Sequence, residues 1–134
     1  MMSNGLGAYT IDAPEIKAEV EAAVLRYEAA LTGNDVAVLD ELFWLSPHTV
    51  RYGAAECLYG HDEIAAFRKS RSSKGLDRVI RRLEITSFDE NFAVVNLEFL
   101  REGETRVGRQ SQTWIRFKEG WRVVSAHVSQ CRSG

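Results

Sequence analysis

Cysteine and proline are scarce in this chain, with two of each in 134 residues. Cys57 and Cys131 are too few for a disulfide scaffold, and their separation is no metal-ligand spacing. They read as small buried or half-buried apolar residues of a reducing cytoplasm, where the protein is expected to reside. No apolar run approaches the roughly 20 residues that span a bilayer, so a membrane role is not expected. Met1 to Thr10 lacks the basic-then-apolar order of a secretory leader. Residues 1–11 are expected to form a disordered lead-in, and residues 12–132 one domain. A net charge of −2 argues against a nucleic-acid platform, which normally carries a basic excess. Also missing are a Gly-x-Ser-x-Gly elbow, a phosphate-cradling loop and a dinucleotide fingerprint. Acyl-enzyme and nucleotide chemistry are therefore not expected, and neither is any cofactor. Three scattered histidines without a carboxylate spacing make no case for a metal.

What is plentiful is arginine, thirteen against four lysines. Arginine suits bidentate capture of a planar carboxylate and stays charged when desolvated. Codon bias produces the same excess, so composition leaves both explanations open.

The element order follows from periodicity and punctuation. Asp12-Ala13-Pro14-Glu15 has the parts of a helix start, with Asp12 as cap and Glu15 closing a capping box. Ile16, Val20, Ala23, Val24, Tyr27 and Leu31 form its apolar stripe, and Gly33 stops it. Asn34 is expected to cap a second, shorter helix carrying Val38, Leu39, Leu42 and Phe43, which closes before Pro47. Thr49 to Gly53 and Glu56 to Tyr59 read as a small hairpin ended by Gly60, and a third helix starts near His61. From Val79 the period becomes two: strands at Val79–Phe88, Phe92–Arg101, Thr105–Phe117 and Trp121–Gln130, separated by turns. The fold class is α+β, three helices packed on a long, curved, mainly antiparallel sheet. Such a sheet makes a cone with one open end, and ligand sites favour its concave interior.

The segment Gly108-Arg109-Gln110-Ser111-Gln112-Thr113-Trp114, with Trp121 to Ser129, places polar side chains where plain core is expected. Each unpaired buried polar group costs about 1–3 kcal/mol, so a polar pocket on the sheet is the economical explanation. A three-residue loop at Lys118 to Gly120 sets Phe117 opposite Trp121 and Ser111 opposite His127. Arg109, Ser111 and Thr113 then share the face of Ser125 and His127. A two-residue turn at Glu119-Gly120 instead brings Gln110, Gln112 and Trp114 to that face. Lys-Glu-Gly, with glycine in the left-handed position, favours the first register. His127 is a candidate for proton transfer or ligand orientation, against a buried histidine satisfied by its neighbours. His48 and His61, at loop and cap positions, are expected to face solvent. Arg51 interrupts an apolar strand, and Arg68 and Arg71 share one side of the third helix. If that side faces the mouth, Arg51, Arg68 or Arg71, and Arg109 converge; the bland alternatives are a solvated helix face and pairing to Glu56 or Glu98. Tyr27 ends the buried stripe of the first helix, and Trp44 and Trp114 supply apolar walls.

These residues carry a resemblance. The element order is similar to the SnoaL-like, or nuclear-transport-factor-2-like, superfamily. Arg51-Tyr52-Gly53, Glu56, Gly60, Phe67-Arg68 to Arg71, Gly108 to Trp114, Gly120-Trp121-Arg122 and Ala126-His127-Val128-Ser129 resemble the AtzH-like family. Members of that family accompany amidases in cyanuric acid and oxalurate catabolism. The resemblance implies a cofactor-free decarboxylase acting on 1,3-dicarboxyurea, or a close relative, to give allophanate. It implies Tyr27, Arg51 and His127 in catalysis, and Arg68, Arg71, Arg109, Ser111, Gln112, Trp44 and Trp114 in binding a small carboxylated urea. A non-catalytic accessory subunit of an amidase is the alternative; an isomerase or dehydratase of the same superfamily lacks an evident Asp-His pair. A homodimer through the sheet, with Arg116, Arg122 and Phe99 facing outward, is also implied.

Overall fold

The computed structural model describes residues 8–131. Helix α1 (Pro14–Thr32) lays Ile16, Val20, Val24, Tyr27 and Leu31 on the core, as its stripe requires. Asp12 does not cap it. At φ 57° its backbone N–H bonds to Ser87 O at 3.0 Å and its Oδ1 accepts from Ser87 N–H at 2.8 Å, so Asp12 ties the chain to the sheet. Thr10 and Ile11, expected in the lead-in, are likewise held: Thr10 exchanges bonds with Asp89, and Ile11 bridges Phe88. Residues 1–7 of that expected segment lie outside the described residues. Helix α2 (Val36–Leu42) is capped by Asp35 rather than Asn34, the Asp35 carboxylate accepting from Val38 N–H at 3.2 Å. Asn34 is spent on the preceding turn at φ 51°.

Strands β1 (Val50–Tyr52) and β2 (Cys57–Tyr59) form the short hairpin, and helix α3 (His61–Ser70) follows Gly60. Strands β3 (Val79–Phe88), β4 (Phe92–Leu100), β5 (Gly108–Phe117) and β6 (Gly120–Gln130) are the meander. One sheet results, in the order β2-β1-β6-β5-β4-β3, antiparallel except where β1 runs parallel to β6. Bulges that leave Arg81 and Val124 without a partner fall in β3 and β6, where an extra residue bends the strand and increases its twist. The β5–β6 connection is two residues, with Phe117 opposite Gly120 rather than Trp121. The bulge at Val124 then restores the expected pairing of Ser111 with His127.

The face pointing at the helices carries Ile85, Ala93, Val95, Leu97, Trp114, Val123 and Ala126, all buried. Phe99 is on this face too, not outward as expected, and lies against Gly108 on the paired strand. A Cβ on Gly108 would meet the Phe99 ring, so glycine is required here by close approach rather than by φ. Cys57 is exposed and Cys131 half-buried. Among the described residues no helix is long and apolar enough to cross a membrane.

Gly108→Val is expected to displace the Phe99 ring and destabilise the protein by about 1–3 kcal/mol, read from urea denaturation, as overpacking of a filled core does.

Candidate functional site

Side chains alternate across a strand, so the register of β5 decides what the interior receives. Gln110, Gln112 and Trp114 point in, each 1% exposed or less, while Arg109 and Ser111 are exposed on the other face. His127 stands opposite Ser111 and is exposed with it. The expected polar face therefore exists but is the outer one: Ser111 bonds Asn96 Oδ1 at 2.6 Å, Arg109 bonds Ser129 Oγ at 3.2 Å, and His127 packs edge-on against Tyr52. The reason is burial. The largest side chain of β5, Trp114, goes to the core, and the period-2 rule carries both glutamines in with it.

Arg51 is drawn inside from β1, where it pairs in register with Ala126 of β6, itself opposite Gln112. A row Gln112–Ala126–Arg51 thus crosses the inner face, with the smallest side chain in the middle. Glu56 reaches back across the hairpin to bond Arg51 at 2.9 Å. Gly53 makes this possible, because a Cβ there would collide with the Glu56 carboxylate. Arg68 comes from α3, 2% exposed, with its guanidinium 4.1 Å from the centre of the Phe43 ring. Its single ion pair among the described residues is a 3.3 Å contact to half-buried Asp40, and its Nη2 has no partner. Arg71 follows one turn later and shares the Phe67 ring with Arg51, at 5.9 and 5.5 Å. It makes no ion pair with a described residue, and its Nε and Nη2 are buried without partners.

Deeper in sequence, Arg78 is engaged through its Nε and Nη2. It bonds Glu28 through two contacts of 3.0 and 2.5 Å and donates to Gln110 Oε1 at 2.7 Å, with Phe99 beneath it. Arg78 can only donate, so the Gln110 oxygen must face it and the amide nitrogen must face Tyr27. That nitrogen lies 3.3 Å from the Tyr27 hydroxyl oxygen. With its oxygen accepting from Gln110, Tyr27 keeps its own O–H free to donate elsewhere.

The electrostatics follow from this crowding. Burial is the main cause holding Arg68 and Arg71 below the usual arginine pKa; the charge of Arg51 adds to it for both, while Tyr27 acts the other way. Burial and the nearby Arg78 do the same to Arg101, which stacks on Phe99. A guanidinium does not release its proton in a protein, so it waits for a counter-charge instead. Five arginines, Arg51, Arg68, Arg71, Arg78 and Arg101, stand with four carboxylates, Asp40, Glu28, Glu56 and Glu104, a formal excess of one positive charge. With unpartnered N–H groups in the same place, the arrangement suits a small anion.

Of the residues expected at the site, the interior collects Tyr27, Arg51, Arg68, Arg71, Gln112 and Trp114. It excludes His127, Arg109 and Ser111 by their face. Trp44 is excluded by position: it stacks on Phe117 at 5.5 Å and borders a separate groove with Asp40, His61 and Arg122. His61 is half-buried, bonded to Asp40 O at 2.7 Å, rather than solvent-facing. Glu56 is the partner of Arg51, whereas Glu98 reaches Arg81 instead. Sequence reasoning missed Glu28, Arg78 and Ala126, and brought Gln110 to the polar face only in the register it did not favour. Glu28, one residue beyond Tyr27 on a helix, carried the only available signal, a carboxylate at the border of an apolar stripe.

The helices and curved sheet have the nuclear-transport-factor-2-like fold, here with a cluster of inward-facing arginines. The AtzH-like family model matches residues 9–134, and the chain belongs to that family. A crystal structure of a protein of unknown function from Pectobacterium atrosepticum is 56% identical, covering 91% of this chain and 95% of that one, with a TM-score of 0.89. A cystatin-like fold protein from Burkholderia xenovorans is 39% identical over 95% of this chain and 100% of its own, also at TM-score 0.89. A nuclear transport factor 2-like superfamily protein from Salmonella enterica, 24% identical over 90% and 94% at TM-score 0.72, shows the fold alone. No curated protein matches.

Arg78→Met leaves Glu28 buried without its counter-charge, and a loss of about 3–5 kcal/mol is expected in urea unfolding. Adding Glu28→Leu to the same chain is expected to recover most of it.

Proposed function

We propose that this protein is a cofactor-free lyase of small urea-derived dicarboxylates, taking 1,3-dicarboxyurea, or a close relative, to allophanate and carbon dioxide. The observation that carries the reading is the pair Arg68 and Arg71, whose buried N–H groups have no partner beside Arg51 and Tyr27. A compact ligand rich in carboxylate oxygens answers the idle donors of both arginines. The identity of that ligand comes from the family resemblance.

In the reaction the bond between the departing carboxylate carbon and nitrogen breaks, its electron pair stays on nitrogen, and nitrogen takes up one proton. Tyr27 is assigned the proton, since its oxygen already accepts from Gln110 and its O–H is free. Arg68 and Arg71 are assigned to the carboxylate that is retained. Arg51 is assigned to the charge that builds on the ureido group as carbon dioxide leaves. A cation placed only on the departing carboxylate would stabilise the ground state and slow the step, so this division of labour matters. Water-poor surroundings strengthen each of these interactions. His127, exposed on the outer face, has no part in the sequence.

The test supplies purified protein with dicarboxyurea generated in place by an amidase and follows carbon dioxide release. Acceleration over buffer is expected, with Tyr27→Phe slower by about 10²-fold or more and His127→Ala within about twofold of the parent. No acceleration, or full activity in Arg51→Ala, rejects the assignment.

A further inference from the structure

Gln112 is 1% exposed, and its amide nitrogen has no hydrogen-bond partner among the described residues. A buried amide left half-satisfied is costly, and two residues along the same strand there is a reason it cannot relieve itself. Trp114 points to the same face, and its indole N–H donates to Gln112 Oε1 at 2.8 Å. An indole nitrogen can only donate, so rotating the amide by half a turn would set two donors against each other. Trp114 therefore locks the amide with its NH2 group outward from the tryptophan. Along the row Gln112–Ala126–Arg51, strands lie about 4.8 Å apart, so Gln112 and Arg51 flank Ala126 on the inner face.

We infer that Gln112 is a specificity-determining donor of the anion site: locked by Trp114, it accepts only a ligand that presents an oxygen acceptor at that end, and turns away one that presents N–H. This rests on the anion-site reading above and sharpens it. The ligand carries one carboxylate for the arginines and, at its other end, a carbonyl or a second carboxylate. A zwitterion or a ligand ending in an amine is refused even when its length and its first carboxylate fit. Trp114 acts as a positioning residue, through Gln112 rather than by touching the ligand.

The test uses malonate and β-alanine, two three-carbon probes that share one carboxylate and differ in having an acceptor or a donor at the far end. Their affinities are measured by calorimetry on the full chain, with circular dichroism and thermal midpoints as controls for folding. Wild type is expected to bind malonate and prefer it. Gln112→Met, nearly equal in volume but unable to donate, is expected to weaken malonate about tenfold or more and leave β-alanine almost unchanged. Gln112→Glu, which can still accept from Trp114, is expected to shift the preference about a hundredfold toward β-alanine. A fold defect lowers both affinities together and cannot move the ratio. If Gln112→Glu does not fold, Gln112→Met decides. Should Arg71→Ala weaken malonate while the ratio in Gln112→Met stays at the wild-type value, the inference about Gln112 is overturned and the anion site stands. Should wild type fail to bind malonate, or Arg71→Ala bind it equally well, the anion site itself is overturned, and this inference with it.

Discussion

A guanidinium turned into a protein interior cannot shed its charge, and most of this fold's polar architecture answers that constraint. Arg78 is met by a carboxylate at two points and by an amide oxygen. Arg51 is met by Glu56, which can reach it only because residue 53 has no side chain. Arg68 and Arg71 lean on the faces of Phe43 and Phe67, whose quadrupoles compensate part of the charge without supplying an acceptor. The compensation is thus graded. It is strongest around Arg78, weaker at Arg51, and least at Arg68 and Arg71, where buried N–H groups are left over.

The second organising feature is direction. Arg78 and Trp114 carry only donors, and each faces the oxygen of a glutamine two residues apart on one strand. Neither glutamine is free to choose its orientation. Gln110 passes a donor to Tyr27 and Gln112 keeps a donor unspent, so the interior offers the site hydrogens rather than lone pairs. An anion-binding region needs that polarity. Half-satisfied buried networks are poor for stability, and the unspent N–H groups here have the polarity that the proposed anion site requires.

The strands of the meander were legible because apolar and polar residues alternate between clear turns, and β3 begins and ends where the pattern places it. The pairing of Ser111 with His127 was also legible, though for a partly mistaken reason. The loop is one residue shorter than Lys-Glu-Gly suggests, and an extra residue at Val124 makes up the difference. Capping was read too locally. Asp12 resembles a helix cap in sequence, but the carboxylate finds a better partner in the Ser87 N–H, a residue far along the chain. Phe99 faces inward because Gly108 leaves room for its ring, a fit between two strands that no single segment displays.

By itself, then, the chain determined its element order and, away from the bulges at Arg81 and Val124, which residues share a side of each strand, since both depend on neighbours a few positions apart. It marked Arg51 as anomalous and set Arg68 and Arg71 three positions apart, although α3 ends at Ser70 and Arg71 caps it in extended conformation. Only the tertiary structure decided which side of β5 and β6 meets the helices, and so brought Gln110 and Gln112 to the arginines while leaving Arg109, Ser111 and His127 outside. That choice turns on how one layer's large side chains fill the space against the next. Packing of that kind joins residues dozens of positions apart and has no period to read.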